Sequence, residues 1–155
     1  MQRLALSAAV LLALSGCPSA NDDDSAVVDT GEAPVLTNVT ACEINNSRNT
    51  CGGGQLQLAW DITVTDVDGD LLNPQYFLLL NEQTPWLDGR FEGNLGDGGS
   101  LRLTLACDAY APGFELPWRF AIRDAAGNES DEFSGTYTIA VDPPSFGDPG
   151  VCPAQ

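Results

Sequence analysis

Gln55–Asp70, QLQLAWDITVTDVDGD, is the stretch whose reading decides the fold. Leu56, Leu58, Trp60, Ile62 and Val64 recur at every second residue, with Gln57, Ala59, Asp61 and Thr63 between them. That alternation puts the apolar side chains on one face, the signature of a half-buried strand. The strand runs directly into Asp66-Val67-Asp68-Gly69-Asp70, a turn rich in acid with a glycine inside it.

The same pattern repeats outward from this stretch. Val35–Cys42 reads as a strand before it. Gln75–Leu80 (QYFLLL) reads as a nearly continuous apolar strand after it. Ser100–Ala106 alternates Leu101, Leu103 and Leu105; Pro117–Arg123 alternates Trp118, Phe120 and Ile122; Thr136–Val141 alternates Tyr137, Ile139 and Val141. Between them, Asn81–Ser100 is rich in turn residues and has room for one short edge strand near Arg90–Glu92, while Glu43–Gly54 reads as a polar loop. Short strands at this spacing, with turn signals between them and no helical period, predict an all-β, seven-stranded antiparallel β-sandwich.

The ends of the 155-residue chain read differently. Met1–Gly16 has one cation, Arg3, an apolar run from Leu4 to Leu14, and small residues after it, which reads as a signal peptide. Leu14-Ser15-Gly16-Cys17 resembles the processing site of bacterial lipoproteins. The resemblance implies cleavage before Cys17, diacylation of its sulfur and acylation of its new amine. Residues 17–33 then form a lipidated cysteine and an acidic tether. Pro18–Ala33 has no periodicity and too little apolar surface to order itself. Residues 34–155 hold the sandwich and a proline-rich tail. The acyl chains make the bacterial outer membrane the partner, reached through the lipid anchor, on its periplasmic or cell-surface face; Pro18 after the cysteine weighs against retention at an inner membrane. Asp22-Asp23-Asp24 reads as a solvated spacer, or, by the same resemblance, as a surface-export signal.

Charge narrows the partners further. Formal charge is −16, with no lysine and no histidine. Such a surface repels nucleic acid and anionic lipid. Lacking histidine, the chain has no Ser-His or Cys-His nucleophile pair, so the expected module is no enzyme of that kind.

Trp118–Ser130 (WRFAIRDAAGNES) resembles the sixth strand and following hairpin of fibronectin type III and bacterial immunoglobulin-like domains. Asp66–Leu71 (DVDGDL) is similar to a turn of cadherin-like and bacterial immunoglobulin-like modules, and Trp60 stands where such domains keep a buried tryptophan. The resemblance implies an immunoglobulin-like or fibronectin type III-like sandwich that binds or spaces other molecules. The expected role is a non-catalytic binding or structural module for a protein or glycan. The alternative is a carbohydrate-active or accessory enzyme subunit, which a cleft lined by paired acids and Trp86 would favour.

Loops of such a sandwich alternate between its ends. One end should carry Asp66, Asp68, Asp70, Asp97, Asp124, Glu129, Asp131 and Glu132; the other should gather Cys42, Cys51, Cys107 and Cys152. Four cysteines in an exported domain imply two disulfides with three possible pairings. This topology favours Cys42–Cys51 and Cys107–Cys152. Zinc is excluded by the absence of histidine and of any CxxC. Asp66, Asp68, Asp70 and Asp124 are candidate calcium ligands, the alternative being hairpin turns whose aspartates bond local amides. An EF-hand is excluded, since Leu71 and Phe77 stand where it needs Gly and Glu.

Overall fold

The structure, a computed structural model, describes residues 31–153. The expected signal peptide, Cys17 and the expected tether as far as residue 30 lie outside the described residues, as does the end of the tail. Leu58–Thr65 forms strand β2, and its Leu58, Trp60, Ile62 and Val64 are all buried on one face. β2 lies between β1 (Val35–Ile44) and β5 (Gly98–Thr104), antiparallel to both. A two-residue strand from the tail, β8 (Val151–Cys152), pairs parallel to the end of β1, so the first sheet has the order β5-β2-β1-β8. The second sheet has the order β4-β3-β6-β7, built from β3 (Gln75–Leu80), β4 (Gln83–Arg90), β6 (Glu115–Arg123) and β7 (Phe133–Thr138).

The two sheets bury one core between them. Trp60, Ile62 and Val64 of the first meet Leu78, Trp118, Phe120 and Ile122 of the second. Trp60 and Trp118 touch edge to face, with centroids 6.4 Å apart and planes at 79°. Such a pair adds about 0.5–1.5 kcal/mol beyond the area it buries. Trp118 also stacks on Phe133 at 6.4 Å, and Gly135 makes room for it: a Cβ there would lie 2.5 Å from the indole.

The fold is therefore an all-β sandwich, with eight strands among the described residues where the alternation predicts seven. Most strand ends move by two or three residues, and three differences are larger or change the placement of named residues. The edge strand β4 covers Gln83–Arg90 and precedes the place expected for it. β7 begins at Phe133, and Val141 is 70% exposed instead of core-facing. The polar loop after β1 contains a one-turn helix, α1 (Ser47–Cys51). Among the described residues, no helix is long and apolar enough to cross a membrane.

Candidate functional site

The end of the sandwich at which β1 begins gathers the acids. Asp66 leaves β2 and is 3% exposed; Asp124 leaves β6 and is 5% exposed. The Asp66 amide donates to the Asp97 carbonyl at 3.0 Å, and the Asp70 amide donates to Asp66 Oδ2 at 3.2 Å. Asp124 Oδ1 accepts from the Gly127 and Asn128 amides at 2.6 and 2.7 Å, and its Oδ2 accepts from the Asn128 side chain at 3.0 Å. The Ala125 amide closes the ring of loops on the Asp70 carbonyl at 3.3 Å. These aspartates thus splice three loops by bonding backbone amides, as turn-forming Asp does.

The four candidate calcium ligands separate into three and one. Asp66, Asp70 and Asp124 lie together, while Asp68 Oδ2 is turned to the Glu32 amide at 3.0 Å. Burial, hydrogen bonding to Asp66 and the charges of Asp124 and Asp66 push the Asp70 carboxyl up to about 6. Oδ1 of Asp66 and Oδ1 of Asp70 are buried and accept from no amide, hydroxyl or guanidinium. Among the described residues, no group of three or more acids or cysteines is arranged to hold a metal ion. Glu129, Asp131 and Glu132 are exposed and stand apart from the cluster, two of them in ion pairs described below.

The opposite end holds all four cysteines, as the loop alternation requires, but the pairing is corrected. Cys42 is joined to Cys152, with Cα atoms 5.5 Å apart, and Cys51 to Cys107, with Cα atoms 5.6 Å apart. The reason is the face on which Cys42 lies. Its neighbours Ala41 and Glu43 are on the inner side by alternation, so Cys42 and Ile44 point outward, where they bury Ala59 beneath Cys152. Cys51 ends α1 and meets the segment after β5, which the bridge from Leu56 to Asp108 brings alongside. The tail is held again by Arg102. This residue forks onto Asp61 across the β2–β5 pair and donates to the Pro153 carbonyl at 2.8 Å. Tyr137 Oη donates to the Gly150 carbonyl at 3.2 Å.

In a third arrangement Trp86 does stand in a cleft lined by acids, as the carbohydrate-active alternative required, although its other lining residues were not assigned to it from the sequence. On the outer face of the second sheet, an open groove of about 560 Å³ is lined by Phe77, Trp86, Asp88, Arg123, Glu129 and Glu132. Phe77 is the register partner of Asp88 on β4 and of Ala121 on β6. Arg123 lies over the Phe77 ring at 4.7 Å, and Arg119 over Trp86 at 5.4 Å. Arg123 bonds Glu129 at 2.6 Å; Arg119 bonds Glu82 at 2.9 Å and Glu132 at 3.0 Å. Glu82 reaches Arg119 from a turn in which Asn81 and Glu82 both have positive φ, 51° and 53°. A glutamate rarely adopts that backbone. Leu79 and Ala121 share this outer face by alternation and are nevertheless buried. The sequence did hold a signal for the groove, because QYFLLL is apolar on both faces and its outer side needs cover.

No protein-family model matches the chain, and no curated protein matches it. Among solved structures, the chain is similar to the PKD domain of an M14-like peptidase from a Thermoplasmatales archaeon. The match has 17% identity and a TM-score of 0.44, over 70% of this chain and 97% of that one. It is also similar to part of the β-glucuronidase of Bifidobacterium dentium, at 14% identity and a TM-score of 0.43, over 69% of this chain and 17% of that one.

Proposed function

We propose that the protein is a lipoprotein of the bacterial outer membrane whose sandwich serves as a non-catalytic binding or structural module on the periplasmic or cell-surface face. The observation that carries this reading is the pair of disulfides, Cys42–Cys152 and Cys51–Cys107. Disulfides of this kind persist in oxidising compartments, which fits export of the chain by its leader. Acylation at Cys17 supplies the anchor, since stable attachment needs more than one acyl chain and the site provides three. Pro18–Ala33 then spans at most about 55 Å when extended. The chain enters the sandwich at the acidic end, so that end is the one tied to the anchor and the cystine end is the far one. Like charge on the tether, the acidic end and an anionic membrane surface holds the module clear of the headgroups.

A second reading has one observation in its favour: the groove combines Trp86 with three acids, as a carbohydrate-active subunit would. Glycoside cleavage takes two carboxyl groups acting across one bond. Glu129 and Glu132 are each gripped by an arginine, which leaves Asp88 as the one acid lining the groove that has no ion pair among the described residues. The binding module is therefore the better reading. Detergent-phase partition of the native protein tests the anchor. The wild type should enter the detergent phase, and Cys17→Ser should accumulate with its leader uncut. A wild-type protein that stays in the aqueous phase would overturn the anchored reading.

A further inference from the structure

We infer that the groove on the outer face of the β4-β3-β6-β7 sheet binds an uncharged oligosaccharide, with Phe77 and Trp86 as its apolar floor and Asp88, Arg123, Glu129 and Glu132 as its polar rim. The inference rests on the binding-module reading and names the ligand class for it.

Size comes first. A groove of about 560 Å³ falls within the range of small-ligand sites, roughly 300–1,000 Å³. It runs from Trp86 and Asp88 on β4 across Phe77 on β3 to Arg123 on β6 and to Glu129 and Glu132 in the loop before β7. Two strand spacings of about 4.8 Å, with the loop beyond them, make that at least roughly 10 Å, a length that two or three linked pyranose rings cover.

Chemistry narrows the class. Aromatic carbons on the floor favour a ligand with C–H faces. On the rim, guanidinium donors alternate with carboxylate acceptors, because Arg123 bonds Glu129 and Arg119 bonds Glu132. Each guanidinium also lies over a ring, Arg123 over Phe77 and Arg119 over Trp86. An arginine fixed in this way has lost its rotamer freedom before any ligand arrives. Adjacent donors and acceptors at fixed positions match vicinal hydroxyls, each of which both donates and accepts.

Charge excludes the rivals. Three carboxylates line the groove beside one guanidinium, on a chain of charge −16, so an anionic ligand is repelled. A cationic ligand would find Glu129 and Glu132 already paired to Arg123 and Arg119, which leaves it Asp88 alone. A molecule with apolar faces, many hydroxyls and no charge satisfies every group.

The test uses cellohexaose, chitohexaose and a hexamer of galacturonic acid as probes, followed by tryptophan fluorescence. Trp60 and Trp118 are buried in the core and Trp86 lines the groove, so a saturable emission change on titration reports Trp86. Expected is saturation with at least one of the two neutral hexamers and none with the acidic one. Trp86→Ala should abolish the response. Asp88→Asn, an exposed change that leaves the fold and Trp86 in place, should weaken affinity about tenfold in calorimetry at an unchanged melting temperature. Binding of none of the three, preference for the acidic hexamer, or full affinity in Asp88→Asn would overturn the inference and leave the binding module standing. Shortening of a hexamer during the titration would overturn the non-catalytic reading instead.

Discussion

Arg48 forks onto Glu43, with Nε to Oε1 at 2.8 Å and Nη2 to Oε2 at 3.1 Å, and Glu43 is 2% exposed. The same guanidinium donates to the Ala140 carbonyl at 2.8 Å, so α1 ties the end of β1 to the chain leaving β7. A buried carboxylate stripped of its partner is left uncompensated. Arg48→Met should therefore cost about 3–5 kcal/mol of unfolding free energy in denaturant titration. Adding Glu43→Gln should recover much of that loss. A single variant as stable as the wild type would mean the pair contributes nothing.

The cystines set the next expectation. Peptide mapping without reduction should link Cys42 to Cys152 and Cys51 to Cys107; a Cys42–Cys51 link would contradict the tail's place beside β1. The loops closed span 110 and 56 residues, both long, and chain entropy assigns each bond roughly 4–5 kcal/mol as an upper value. Replacing Cys51 and Cys107 by alanine should lower the melting temperature while Cys42–Cys152 still forms.

Asp70 gives a pH dependence with a definite sign. Its folded pKa of about 6 lies above the unfolded value, so the folded state holds the extra proton in between. The stability this proton contributes is fully present below about pH 4 and is lost as pH rises through about 6. Asp70→Asn, which keeps a hydrogen-bond donor without the charge, should match the wild type at acid pH and become the more stable of the two above about pH 6. A gap of the same size at every pH would remove Asp70 as the cause.

Calcium meets three converging aspartates whose amide bonds already occupy Asp124. Millimolar calcium and millimolar magnesium should raise the melting temperature equally, through screening of a strongly acidic surface. A larger shift from calcium, lost in Asp66→Asn, would show the Asp66–Asp70 pair taking a calcium ion.

The strands around Trp60 and Trp118 were legible in the sequence because one buried face imposes a period of two, and nothing else in the chain competes with it. The acidic end was legible for a topological reason, since antiparallel loops alternate between ends. The cystine pairing was not. It depends on which face of β1 carries Cys42 and on a two-residue strand, Val151–Cys152, too short to show any alternation. β4 was expected too late in the chain for another reason: Pro85 marks a break in most strands. It is tolerated here because β4 is at the edge of its sheet, where one side of the backbone needs no partner. Helix α1, at five residues, is too short for any apolar period to show. Of the groove, Trp86 and an acid lining were anticipated, while Phe77, Asp88 and Arg123 escaped because only the register of β3 against β4 and β6 brings them together.

The most direct measurement is the mass of the N-terminal peptide of the protein purified from its own membrane. Expected is a peptide beginning at Cys17 and carrying three acyl chains, two on a glyceryl group at the sulfur and one on the amine. A peptide that begins at any other residue, or a bare Cys17, would contradict the anchored module.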